Sequence, residues 1–135
     1  MIGLDTNVLV RYLAQDDARQ SARATRLIER ELDEKNPGFI SLIVLVETCW
    51  VLKRLYGATP SELRDTISDL LGTRQLRVER RGIVTRSLAR PSKAGATMMS
   101  DIADALIAEI SVDAGCEQTM TFDKGTVSLG MTLLR

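Results

Sequence analysis

Five acids stand where a purely structural role does not account for them: Asp5, Glu47, Asp101, Asp104 and Asp123. Asp5 closes the apolar run Ile2-Gly3-Leu4 and is followed at once by Thr6 and Asn7, then by Val8, Leu9, Tyr12 and Leu13 at helical spacing. That is the pattern of a buried strand turning directly into a helix, with an acid at the strand's carboxyl end. In open α/β sheets the ligand crevice lies outside those ends. Asp123 repeats the arrangement, since Thr119 to Phe122 reads as a strand and Lys124-Gly125 as the turn beyond the acid. If the later strand lies parallel to the first and beside it, both acids emerge at one edge of the sheet. Glu47 is the only charged residue from Asn36 through Val51, and its helical neighbours are Ile43, Val44, Trp50 and Val51. A glutamate so enclosed is costly to bury as an ion. Asp101 and Asp104 stand three apart on one helical face, where like charges repel unless a cation lies near them. Some of these acids also have a plain reading. Asp5 or Thr6 can cap the first helix and Asp101 the later one, and Glu47 can reach solvent or meet an arginine, whereas Asp104 has no such role.

The chain has no histidine, which removes the commonest general base, the Ser-His and Cys-His nucleophile systems and every imidazole ligand. Carboxylates without histidine or paired thiolates favour hard cations such as magnesium or manganese. Asp5, Glu47, Asp104 and Asp123 are best explained together if they converge on a divalent ion, because carboxylates gathered without one raise each other's pKa. Such oxygen ligands with open positions suit the hydrolysis of a phosphodiester. Phosphate must be drawn in against that negative charge. From Arg74 to Lys93 there are seven basic residues against one acid, Glu79, and from Ala94 to Asp123 six acids with no lysine or arginine. The basic block, with Arg11, Arg54 and Lys124, can supply the attraction, although a charged stretch is more often solvated surface.

The elements that would hold these residues follow from turns and caps. A surface helix is expected over Asp17 to Lys35, a turn at Asn36-Pro37-Gly38, a short strand at Phe39-Ile40, and a helix capped by Ser41 that runs to about Tyr56 and stops at Gly57. Thr59-Pro60-Ser61-Glu62 carries a capping box with proline at the first helical position. Gln75 to Glu79 reads as a strand, Pro91 to Ala96 as a loop, Asp101 to about Val112 as a helix, and Met131 to Leu134 as a last strand. This is one α/β domain over 1–135, a short central parallel sheet flanked by helices. Eighteen basic and eighteen acidic residues balance, and 44% hydrophobic against 4% aromatic content suits an aliphatic core. Neither a signal peptide nor a membrane span is expected, so the cytoplasm is the default address. Cys49 and Cys116 read as buried thiols.

Four segments in this order and spacing resemble the PIN-domain family, in particular the VapC-type toxins of toxin-antitoxin pairs. They are Leu4-Asp5-Thr6-Asn7-Val8-Leu9, Glu47 on the third helix, Asp101-Ile102-Ala103-Asp104-Ala105-Leu106-Ile107-Ala108, and Thr121-Phe122-Asp123. The resemblance implies that Asp5, Glu47, Asp104 and Asp123 form a metal site, with Thr6, Asn7 and Thr121 supporting it. It further implies a magnesium- or manganese-dependent endoribonuclease, a homodimer, and inhibition by a cognate antitoxin. The stretch Arg90 to Ser100 departs modestly from the family pattern. A phosphoacceptor receiver domain is the chief rival, but it wants an acid pair directly after its first strand, and a haloacid-dehalogenase-like phosphatase wants an aspartate where Asn7 stands.

Overall fold

A computed structural model describes residues 1–90 and 98–135, residues 98–101 by their backbone. The loop expected over Pro91 to Ala96, Lys93, and the side chain of Asp101 lie outside the described residues. The chain divides into two compact units, Met1–Arg81 and Gly82–Arg135.

The first unit runs β1 (Ile2–Gly3), α1 (Thr6–Ala14), α2 (Ala18–Arg26), β2 (Gly38–Ile40), α3 (Leu42–Tyr56), α4 (Pro60–Leu71) and β3 (Leu76–Val78). Its strands form a parallel sheet in the order β1-β2-β3, as two successive crossovers through helix pairs require. Ile2 is 42% exposed, so the apolar anchor of the opening run is the buried Leu4 just beyond β1. Glycine is needed at 38, where an added Cβ would meet Leu32 Cδ1 at 2.8 Å and Leu4 Cδ1 at 2.9 Å. Leu9, Ile28, Ile40, Leu45, Leu63 and Ile67 are buried at helical or strand spacing.

The ends of these helices follow the sequence signals. Ser41 Oγ accepts from Val44 N at 3.1 Å, Gly57 closes α3 at φ 67°, and both halves of the Thr59/Glu62 capping box form. The second helix stops sooner than its charge pattern suggests. After Arg26 it loosens into a π-helical turn, Leu27–Glu31, and Asp33 Oδ1 then accepts from Lys35 N and Asn36 N to close the turn before Pro37.

The second unit holds α5 (Arg81–Ala89, begun at the boundary), α6 (Met98–Asp113), β4 (Met120–Thr121), a 3₁₀ helix (Lys124–Leu129) and β5 (Thr132–Leu133). Three expectations change here. The strand ending near Asp123 pairs with β5 rather than with β1, whose ladder runs to β2. A partner close in sequence closes the smaller loop, so two-residue strands pair locally at the lower entropy cost. Helix α6 starts at Met98, which puts Asp101 in its first turn and not at its cap. The basic stretch contains a helix, α5, with Ile83, Val84 and Ser87 buried.

The opposed charge blocks meet each other within this unit. Arg90 Nε lies 2.8 Å and Arg86 Nε 3.3 Å from the two oxygens of Glu109, and Arg86 Nη2 is 3.8 Å from Asp113. Arg90 also donates to the Leu129 carbonyl, tying α5 to the end of the 3₁₀ helix. Segregation along the sequence thus becomes pairing in space, and Arg86 and Arg90 are engaged with protein carboxylates. Among the described residues no helix is long and apolar enough to cross a membrane.

Candidate metal site

Asp5 occupies the N-cap position of α1 with extended backbone (φ −79°, ψ 160°), and its carbonyl accepts from Leu9 N at 3.2 Å. Its carboxylate makes no capping bond, and the residue is exposed. The plain reading of Asp5 as a helix cap therefore fails. Its backbone is held from both sides, by the Leu4 N to Phe39 O bond that extends the β1 ladder and by the first turn of α1. A fixed backbone carrying an uncommitted carboxylate is what a ligand site at a strand end requires.

Thr6, buried at 7% exposure, donates its hydroxyl to Glu47 Oε1 at 2.6 Å. One side chain thus joins the residue after Asp5 to the middle of α3, across 41 positions of sequence. Glu47 itself is exposed, contrary to the enclosed position its neighbours suggested. Ile43 is 75% and Trp50 46% exposed, so that face of α3 does not seal the carboxylate from water. Sequence spacing identified the neighbours correctly but could not say whether a second layer covers them.

Helix α3 is held at its start by a residue that no sequence motif marks. Glu79 Oε1 accepts from Leu42 N at 2.8 Å, beside the Ser41 cap, and so fills a donor that the first helical turn leaves open. Its being the lone acid of the basic block was the available signal. Arg11, a candidate phosphate ligand, is committed instead: it donates to Gln20 Oε1 at 2.8 Å and pairs with Asp16 at 3.1 Å. The Tyr56 hydroxyl bonds Asp16 as well and, ahead of Arg11, holds that carboxyl below its ordinary pKa. Arg54 lies over the Trp50 ring, 4.5 Å from its centroid.

In the second unit Asp123 does cap. Its Oδ1 accepts from Gly125 N at 2.8 Å, and its own N donates to Thr121 Oγ1 at 3.0 Å. Thr126, buried and not singled out by sequence, sets its Oγ1 2.8 Å from the Asp123 carbonyl and 3.1 Å from Thr121 Oγ1. Two threonines therefore brace the turn that carries the acid. Asp104 is half-buried on α6 and takes part in a polar interaction.

Among the described residues no group of three or more acids or cysteines has the spacing to hold a metal ion. The candidate donors fall into two sets, Asp5 and Glu47 in the first unit and Asp104 and Asp123 in the second. All are carboxylate oxygens, and that chemistry fits magnesium or manganese and not a thiolate- or imidazole-loving ion. The thiols stand apart from it. Burial pushes Cys49 up to about 12, and Cys116, expected to be buried, is exposed just past the left-handed Gly115 that ends α6.

A short parallel sheet linked by helix pairs, with an exposed, non-capping acid at the end of its first strand, defines an α/β protein with a candidate ligand site at that strand end. The family model described as PIN domain matches residues 2–129, and the chain belongs to the PIN-domain family. PIN domains are generally metal-dependent nucleases. No curated protein matches the chain.

Proposed function

We propose that the protein is a magnesium- or manganese-dependent endoribonuclease, one PIN-like domain over 1–135, acting as the toxin of a VapBC-type toxin-antitoxin pair. The observation that carries the reading is the 2.6 Å Thr6–Glu47 bond beside an exposed, uncapping Asp5. Asp5, Glu47, Asp104 and Asp123 hold the ion in this reading, with Asp101 near Asp104. Thr6, Asn7 and Thr121 position the acids. A bound divalent ion supplies activation of water and stabilisation of the leaving oxygen.

The side chains have distinct tasks. Thr6 engages Glu47 Oε1 and leaves Oε2 for a ligand, while the ladder bond at Leu4 keeps Asp5 at the strand end. With no histidine in the chain, a route through the RNA 2′-hydroxyl has no ordinary base, and direct attack by water is favoured. The products are then 5′-phosphate and 3′-hydroxyl ends. A homodimer is part of the proposal, supported by Ile43, Trp50 and Leu55 exposed on α3. The cytoplasm and a cognate antitoxin complete it.

Incubation with total RNA, with magnesium and with chelator, followed by mapping of the cut ends, tests the reading. Cuts that need magnesium and carry 5′-phosphates are expected. Cutting in chelator, or 2′,3′-cyclic phosphate ends, would overturn it.

A further inference from the structure

The first unit carries an arginine stripe that the acid site does not use. Arg19, Arg23 and Arg26 of α2 and Arg30 of the π-helical turn follow one another at intervals of four, three and four, the spacing of a single helical face. At about 1.5 Å of rise per residue the stripe extends on the order of 16 Å. All four are exposed. Arg23 pairs with Glu31 at 2.8 Å, and Arg19, Arg26 and Arg30 have no acidic partner among the described residues. Glu29 lines the same surface beside Arg26 and Arg30, and after burial its charge is what raises the pKa of Tyr12.

Two shallow concavities run along the stripe, about 420 Å³ beside Arg19, Arg23 and Arg26 and about 630 Å³ beside Arg26 and Arg30. Ala22 is the single apolar residue lining either one. A protein partner needs an apolar or aromatic centre to dock on, and these two concavities offer only Ala22. A phosphate backbone needs only spaced, unpaired cations, and arginine forks suit it. A third concavity, about 370 Å³ with a floor of Val8, Ala24 and Leu27, reaches from Asn7 to Arg23. It lies on the α1 side of the stripe and borders it at Arg23, and Asn7 at its other end stands two positions past Asp5.

We propose that Arg19, Arg26 and Arg30 form a rail for the phosphate backbone of single-stranded RNA, leading away from the acid site along α2. The identity of the polyanion rests on the ribonuclease reading. The rail fixes how a strand lies and carries no base specificity, because phosphate contacts position without reading sequence.

The test is anisotropy of a fluorescent single-stranded RNA with the full chain carrying Asp5→Asn, titrated over a range of KCl. Against that protein, the further triple change Arg19→Gln, Arg26→Gln and Arg30→Gln should lower the slope of log affinity against log salt by about 2, from about 0.7 per contact. Binding at low salt should weaken by more than about tenfold, and the triple lysine counterpart should keep the slope. An unchanged slope in the glutamine variant, or no RNA binding by either protein, would overturn the rail. So would loss of poly-glutamate binding with RNA binding intact, which would mark an acidic protein as the partner. Cleavage by the unaltered chain is scored separately: a rail without cleavage leaves the rail standing and removes the ribonuclease, and cleavage without a slope change does the reverse.

Discussion

Asp5 and Asp123 look alike in sequence, an acid closing a short strand before a helical turn, yet the two units use them differently. Asp123 turns its Oδ1 onto Gly125 N and holds its own loop, whereas Asp5 at the N-cap of α1 makes no such bond. The contrast separates an acid with a structural share from an acid that fold stability does not require. It teaches that the helix-start pattern reports position, and that only the rotamer reports the role.

The largest effect is expected from removing the uncommitted charge. Asp5→Asn should lower RNA cleavage by at least about 100-fold while unfolding free energy in urea moves by less than about 0.5 kcal/mol. Retained cleavage in a clean preparation would take Asp5 out of the site. The next largest concerns packing of charge. Glu109, 12% exposed, serves both Arg86 and Arg90, so Glu109→Ala should destabilise by about 1–3 kcal/mol. Breaking the exposed Arg74–Glu34 pair of the first unit with Glu34→Ala should cost less than about 0.5 kcal/mol. Denaturant midpoints compare the two directly.

The contrast itself is read by alanine. Asp123→Ala should cost about 1 kcal/mol through the lost cap and Asp123→Asn much less, since asparagine caps as well. Asp5→Ala should cost almost nothing in stability, and equal losses at the two positions would erase the distinction. The smallest effect is chemical. Near neutral pH a thiol reagent should label Cys116 at once and spare Cys49, whose pKa near 12 keeps it neutral, until the chain is unfolded. Rapid labelling of both would mean that the first unit opens locally.

Much of this architecture was legible because its signals are local. Ser41, Gly57 and the Thr59/Glu62 box act within a few residues of themselves, and each helix end they mark is where it forms. The candidate acids were legible by type and spacing. Their circumstances were not. The exposure of Glu47 depends on whether anything covers Ile43 and Trp50, and that is decided by elements remote in sequence. Arg86 of α5 and Arg90 just past it looked like free phosphate ligands until Glu109 of α6 met both. The stripe on α2 was not legible because both charges are interspersed from Asp17 to Lys35, and only the fold shows that Arg23 alone of the four arginines pairs with a carboxylate.

By itself the sequence narrowed the class of chemistry, since a chain without histidine is left with carboxylates, hydroxyls, amides and guanidiniums, and it marked where strands give way to acids and helices. The tertiary structure alone decided which carboxylate caps, which is held by a threonine and which charges cancel. Hydrogen bonds and ion pairs act over about 3 Å, and such closeness between residues dozens of positions apart exists only once the chain has folded.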